Sequence, residues 1–421
     1  MPTSQTTNSK MTGQAERFEP GYVGKLGKDP FQNHENPLRL ARILSCIVQF
    51  IAALVVVLVM LEVIFYAAGI GEQEFLQVDA NNGFAPMPGK KITWRFEGYS
   101  RTQFNSVGMP DREYTLAKPS NGYRVAVLGD SYVESLQVER EATFCRLLEK
   151  DLQKAMPGKK VEVMNFGVSS YSLGQTYKRL KDMALAYNPD LVLVTVSIDS
   201  SFRLLPNPKG GFLYARPSYF AVGNNKVVED RTVQNMWQKT MEAKRIHATS
   251  WLRQHSRVWG VISTAASAWN TWCKNFGKPS FTADQPVAQT AVKSTTAPRF
   301  VSSTKNEEQC TVYSWPIAQG LIKLIQETCQ EKNCPLIFIR IPGPDGRENK
   351  VETQLLMQST QKYAIPCLDL TPAFQNELLK QDTIKQQDLK QPLFFQSHFT
   401  ETGHKLAEQS IFPFVLRQVQ K

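Results

Sequence analysis

From Ile43 to Ile70 the chain reads ILSCIVQFIAALVVVLVMLEVIFYAAGI, and Glu62 is its one charged residue. No other feature constrains the fold as strongly. About 20 apolar residues cross a hydrocarbon core of about 30 Å, whereas an ordinary core helix of a soluble protein rarely stays apolar on every face for so long. A cleaved leader would carry a shorter apolar region, roughly 7–15 residues, nearer the N-terminus. The run therefore predicts a transmembrane helix over residues 43–70. Arg39 and Arg42 precede it, while Glu72, Glu74 and Asp79 follow. Positive-inside bias then predicts a single-pass protein with residues 1–42 cytoplasmic and everything beyond the span extracytoplasmic, in a periplasm or at a cell surface. Glu62 falls toward the outer end, where its carboxylate can reach the interface, pair with another helix or sit protonated.

The rest of the chain can build a full core, since 42% of the 421 residues are apolar and 10% aromatic. A net charge of +11 suits anionic neighbours such as phospholipid headgroups or acidic polysaccharide. Zinc-finger spacing, an RNP-type aromatic signature and a Walker loop are all missing, which argues against nucleic acid as a partner. No metal-ligand spacing occurs either, and no cofactor or metal is expected. Cys329 and Cys334 flank a short turn, so a small disulfide is feasible in an oxidising compartment, although six extracytoplasmic cysteines admit 15 pairings.

Residues 1–37 lack apolar periodicity and read as a solvated tail; 71–122 read as an irregular or short-stranded lead-in. A strand–helix alternation begins at Tyr123. Strands are expected at Val125–Leu128, Val161–Asn165, Leu191–Val196, Leu336–Ile341 and around Cys367–Leu370. Helices are expected at about Glu139–Ala155, Gly174–Ala186, Pro316–Gln330 and Thr400–Val415. This rhythm predicts an α/β fold, a doubly wound parallel sheet with a helical layer on each side, built from 123–202 and 314–421. Between them lies an insertion, 203–313, with a helical part at Val233–Phe276 and a Ser/Thr/Ala/Pro-rich part at Gly277–Lys305 expected to be a flexible loop. Trp237, Trp251, Trp259, Trp269 and Trp272 sit in the helical part among basic residues. They either pack the insertion onto the main domain or form a lid, a membrane-interface surface or a sugar-stacking surface.

Ligand sites of such sheets lie at the carboxyl ends of the strands. The first strand runs into Gly129-Asp130-Ser131. A serine opening a helix there is a cap or a nucleophile with an exposed hydroxyl and a free N–H that can donate to an oxyanion. The second strand leads to Asn165-Phe166-Gly167, where the glycine either makes a turn or lets the backbone approach a ligand and supplies a second N–H. Near the C-terminus, His398 precedes a helix that Thr400 can cap, while His404 falls inside that helix; His398 is the better base.

Taken together and in this order, these residues resemble the SGNH (GDSL-type) hydrolase superfamily. The match covers roughly Tyr123–Ser201 and Pro335–Val415, and the stretch Asn105–Glu113 is similar to membrane-tethered bacterial members. The resemblance implies that Ser131 attacks an ester carbonyl, that His398 takes its proton, and that the N–H groups of Ser131 and Gly167 form an oxyanion hole. Asp130 supports the nucleophile in this scheme.

Two positions depart from the family pattern. Where it has Asn-Asp after the third strand, this chain has Ser197-Ile198-Asp199. Asp199 keeps its place and can hold the loop, and Ser197 is an alternative donor. The acid expected two or three residues before His398 is replaced by Gln396 or Phe395. Gln396 is the residue left to hydrogen-bond the imidazole, but an amide does not stabilise imidazolium as a carboxylate does. Two functions follow from the resemblance. One is an acyl-ester hydrolase or O-acyltransferase acting on an acylated substrate, plausibly envelope or exported polysaccharide. The other is a catalytically degenerate domain that binds a glycan or serves as a scaffold at the membrane.

Overall fold

The computed structural model describes residues 37–71, 74–197, 201–202, 204, 219–223, 226–275, 304–346, 349–383 and 392–420. The expected N-terminal tail, Asp199 and nearly all of the Gly277–Lys305 segment lie outside them. Two compact units are present, Met1–Val59 and Met60–Lys421. The described part of the first is helical and belongs to α1 (Pro37–Ala68). An 18-residue window within Leu38–Ala68 has a mean hydropathy of 2.9 and no residue buried within the protein, so the helix is long and apolar enough to cross a membrane.

The second unit opens with two antiparallel hairpins, β1 (Leu76–Asp79) with β2 (Gly83–Pro86), and β3 (Lys91–Trp94) with β4 (Ser100–Gln103). There follow β5 (Gly122–Leu128), α2 (Ser131–Glu134), α3 (Phe144–Ala155), β6 (Lys160–Asn165), α4 (Leu173–Asp182) and β7 (Leu191–Ser197). Among its described residues the insertion contributes a hairpin, β8 (Tyr219–Gly223) and β9 (Lys226–Asp230), and the helices α5 (Thr232–Gln238), α6 (Met241–Ala248), α7 (Ser250–His255) and α8 (Arg257–Asn275). The chain closes with α9 (Thr304–Glu331), β10 (Leu336–Ile341), α10 (Lys350–Lys362), β11 (Cys367–Asp369), α11 (Thr371–Thr383) and α12 (Glu401–Val419).

Five strands form one parallel sheet in the order β11-β10-β7-β5-β6. They are the five stretches expected from the apolar runs. β7 is buried along its whole length, as a strand covered on both faces must be. Alternation splits the side chains between two cores. Ala126, Leu128, Val192 and Val194 pack with Leu180, Leu321 and Leu356 from α4, α9 and α10. Val125, Val127, Leu191 and Leu193 pack with Leu148, Phe374 and Ile411 from α3, α11 and α12. From β5 the chain turns to one side for β6 and returns to the other for β7, which opens a crevice at the carboxyl ends of β5 and β7.

Local signals explain the helix boundaries. Thr143 accepts from the Arg146 N–H and starts α3 there, so the expected helix from Glu139 begins later, after a 3₁₀ turn at Arg140–Ala142. A capping box between Ser172 and Gln175 opens α4, and Thr400 caps α12 through the Gly403 N–H. The β8–β9 hairpin, α10 and α11 were not expected; their short apolar runs carry no distinctive period. Cys329 and Cys334, candidates for a small disulfide, are free thiols, and burial pushes both up to about 12.

One buried cation ties the lead-in to the sheet. Arg124 on β5 is fully buried; it pairs with Glu162 on β6 at 2.8 Å and donates to the carbonyls of Thr115, Leu116 and Tyr187 at 2.8, 3.0 and 2.8 Å. Removing one partner of a buried pair leaves the other charge uncompensated. Arg124→Ala is therefore expected to destabilise the protein by about 3–5 kcal/mol, read as a lowered midpoint in chemical denaturation.

Candidate active site

Ser131 is the first residue of α2, directly after β5. Asp130 caps that helix: its Oδ1 accepts from the Tyr132 N–H at 3.1 Å, and its Oδ2 accepts from the Ser197 hydroxyl at the end of β7. Gly129 has to lack a side chain, because a Cβ would lie 1.9 Å from Thr195 Oγ1 on β7. The Ser131 hydroxyl meets His398 Nε2 at 2.8 Å. Tyr132 holds the histidine loop, donating to the Ser397 carbonyl at 2.7 Å and packing its ring 5.4 Å from the imidazole.

On the other side of the imidazole stands a residue that the sequence had not singled out. Glu97 Oε2 lies 2.6 Å from His398 Nδ1, and its Oε1 accepts from the Ser397 hydroxyl at 2.5 Å. The Glu97 side chain is 2% exposed and that of His398 21%. Burial alone would raise the Glu97 carboxyl; the hydrogen bond and charge of His398, with the bonds from Ser397, outweigh it and hold it below its usual range. A carboxylate only accepts, so the proton on Nδ1 faces Glu97 and the Nε2 lone pair faces the Ser131 hydroxyl.

Glu97 comes from the turn between β3 and β4. Gly98, at φ +69, makes that turn where a Cβ would meet the Gln137 carbonyl at 2.3 Å and the Phe395 ring at 2.7 Å. The Ser100 hydroxyl donates to the Leu136 carbonyl at 2.6 Å, which pins the hairpin beside α2. Gln396, the expected partner of the imidazole, is exposed and makes no contact with it; Glu97 occupies that place. A Glu-Gly turn three hundred residues upstream carries no signal for this role.

Gly167 is also placed differently from the expectation. Its N–H donates to Asn165 Oδ1 at 2.9 Å and is committed there, not open to a ligand. The glycine is needed for packing, since a Cβ would lie 2.3 Å from the Glu134 nitrogen on α2. Ser197, the alternative donor, spends its hydroxyl proton on Asp130. Among the described residues, the N–H groups of Ser131 and Ser170 have no partner. Ser170 adopts φ 65, a left-handed conformation that costs a non-glycine residue about 1–3 kcal/mol and is common beside active sites. His404, inside α12, is buried and structural: its Nδ1 accepts from the Phe144 N–H at 3.3 Å, and burial, with His398 nearby, lowers it to about 3. Among the described residues, no group of His, Cys, Asp or Glu could hold a metal ion.

No protein-family model matches the sequence, and comparison with curated proteins finds no match. Among solved structures, the chain is similar to the acetyl xylan esterase AlAXEase (13% identity, TM-score 0.36, 69% of this chain and 99% of that one). It is also similar to the acetylxylan esterase Axe2 from Geobacillus stearothermophilus (12% identity, TM-score 0.35, 70% and 95%). A third is CEX, a two-domain esterase active on acetylated mannans (10% identity, TM-score 0.37, 71% and 50%). Overlaps this distant add nothing to what the site geometry supports.

Behind Ser131, on the last residue of α2, Glu134 is fully enclosed. Its Oε2 accepts from the N–H of Ser169 at 3.0 Å and from the Ser169 hydroxyl, while Oε1 has no hydrogen-bond partner among the described residues. Burial pushes this carboxyl up to about 7, against the opposing pull of Ser169, Arg179 and His398. The folded protein thus keeps a proton that the unfolded chain releases near 4.5. The stabilisation is complete below that value and is lost as pH rises through about 7. Melting temperature is expected to fall between about pH 5 and pH 8, and Glu134→Gln is expected to flatten that fall; thermal scans across the range check both.

Proposed function

We propose that this chain is a membrane-anchored acyl-ester hydrolase or O-acyltransferase of the SGNH type, with Ser131, His398 and Glu97 as nucleophile, base and orienting acid. The observation that carries the reading is the continuous hydrogen-bonded line from Glu97 through His398 to the Ser131 hydroxyl, at 2.6 and 2.8 Å. The sheet order and its two helical faces agree with the doubly wound αβα arrangement of that superfamily.

In this scheme Nε2 of His398 takes the serine proton as Oγ bonds to the ester carbonyl carbon. The carbonyl oxygen becomes an oxyanion received by the Ser131 N–H, with Ser170 as the proposed second donor in place of Gly167. Glu97 stabilises the imidazolium that forms. His398 then returns the proton to the departing alkoxide, leaving an acyl-serine. Water or an acceptor hydroxyl, deprotonated by the same histidine, releases the acyl group. Carriage of the orienting acid by a distant hairpin favours an active enzyme over the degenerate scaffold. Acylated polysaccharide outside the cytoplasm is the proposed substrate class, with α1 as a span and the N-terminus cytoplasmic.

Full-length protein in detergent is expected to cleave p-nitrophenyl acetate and to be labelled by a fluorophosphonate at Ser131. Ser131→Ala and His398→Ala should each lower turnover by about 10⁶-fold, and Glu97→Gln should lower it by about 10²–10⁴-fold. Absence of both labelling and cleavage, with acetylated polysaccharide also tried as acceptor and donor, would sink the enzymatic reading. Gln396→Asp is expected to give no gain in turnover, because Nδ1 of His398 already has its carboxylate.

A further inference from the structure

Helix α8 starts on the outer turns of α1. Glu62 Oε1 accepts from the Arg257 N–H at 2.5 Å, and its Oε2 accepts from the Val258 N–H at 3.1 Å and from the Ser256 hydroxyl at 3.0 Å. A carboxylate placed there satisfies orphan N–H groups and complements the positive end of the helix. The junction continues on both sides. Arg257 donates to the Ile70 carbonyl at 3.1 Å and stands 5.2 Å over the Tyr66 ring, and Arg253 pairs with Glu74. Gly71, at φ +69, leaves room for the Arg257 carbonyl, which a Cβ would meet at 2.4 Å.

The height of this junction on α1 follows from helix geometry. The roughly 20 residues from Arg42 to Glu62 rise about 30 Å at ~1.5 Å each, the thickness of a hydrocarbon core. With Arg42 at the inner boundary, Glu62 sits at the outer one, and the start of α8 lies in the headgroup layer. From there α8 presents Ile262, Ala265, Ala266 and Trp269, all exposed and spaced to share one face; Ile262 is 52% and Trp269 63% exposed. Trp251 and Leu252 on α7 add 66% and 37% exposure. No charged residue occurs between Arg257 and Lys274. Tryptophan is the side chain enriched at that depth, with an apolar body and a polar N–H. By contrast, Trp237 of the same insertion is buried against Ala243 and Val78.

We propose that α7 and α8 form a second, interfacial contact with the bilayer that α1 crosses, seating Trp251, Leu252, Ile262 and Trp269 at the boundary of headgroups and acyl chains. The proposal rests on α1 being a transmembrane span. Its consequence for the site is a fixed height. Lys90 Nζ, one residue before β3, donates to the Gln254 carbonyl at 2.6 Å, so the hairpin that carries Glu97 is tied to the interfacial helices. Two attachments hold the site at a set distance above the membrane, where a lone tether would let it swing.

The test uses the full chain in nanodiscs whose phosphatidylcholine is brominated near the headgroup end of its acyl chains. Tryptophan emission is expected to be quenched relative to ordinary lipid, and Trp251→Phe with Trp269→Phe should lower the quenched intensity about twofold. Phenylalanine keeps an aromatic ring at each position, including the one stacked 5.1 Å from His255, so the thermal transition of the variant should match wild type. Emission equal in the two lipids, or quenching unchanged by the substitutions, would overturn the proposal while leaving the span intact. Crosslinking of two copies through the stripe without quenching would overturn it in favour of self-association. Release of the chain from membranes by alkaline carbonate would remove the span and this proposal together.

Discussion

A carboxylate withdrawn from water keeps its charge only where hydrogen-bond donors replace the lost solvent. Glu97 meets that condition at one point in the protein, against His398 and Ser397. Three separate parts of the chain must converge to provide it: the β3–β4 hairpin, the loop before α12, and the start of α2 beneath Tyr132. Misplacing any of them strands a buried charge. The hairpins before the sheet are therefore part of the site's construction and not a passive lead-in.

The carboxyl ends of the central strands are held by a different device, close backbone packing secured by short polar bonds. Gly129 lets β5 approach Thr195 on β7, and Gly167 lets the loop after β6 lie on the backbone of α2. Asp130 joins the ends of β5 and β7 through Ser197, while Asn165 bridges the Gly167 N–H and the Val133 carbonyl, the latter at 2.6 Å. Every one of these polar atoms is buried and paired, which fixes the Ser131 hydroxyl within reach of the imidazole. Residues that look like donors in a motif can thus be consumed by the architecture that positions Ser131.

Attachment of the insertion follows the same logic of supplying partners to buried polar groups. Glu62 is the lone charge in α1 beyond Arg42, and the first turn of α8 supplies N–H groups that a lone carboxylate lacks in that setting. Lys178 on α4 likewise pairs with Glu229 of β9 at 2.5 Å, and Gln234 of α5 donates to the Ala80 carbonyl at 3.2 Å. Lead-in, insertion and sheet are joined by charge and backbone bonds as much as by apolar contact.

Much of the fold was legible in the chain itself, because periodicity is a local property. The apolar helix from Ile43, the five strands and the capped helices around them each announce themselves in local pattern, and so do Ser131 after its strand and His398 before Thr400. The acid was not legible: Glu97 is one glutamate in a short turn, and its partner is 301 positions away. Nor could the sequence say that the Gly167 N–H and the Ser197 hydroxyl are already committed, or that Gln396 faces solvent. Local pattern determines which elements form and what their ends carry. Which side chains are left free to do chemistry depends on desolvation and pairing across the assembled core, and only the tertiary structure decides that.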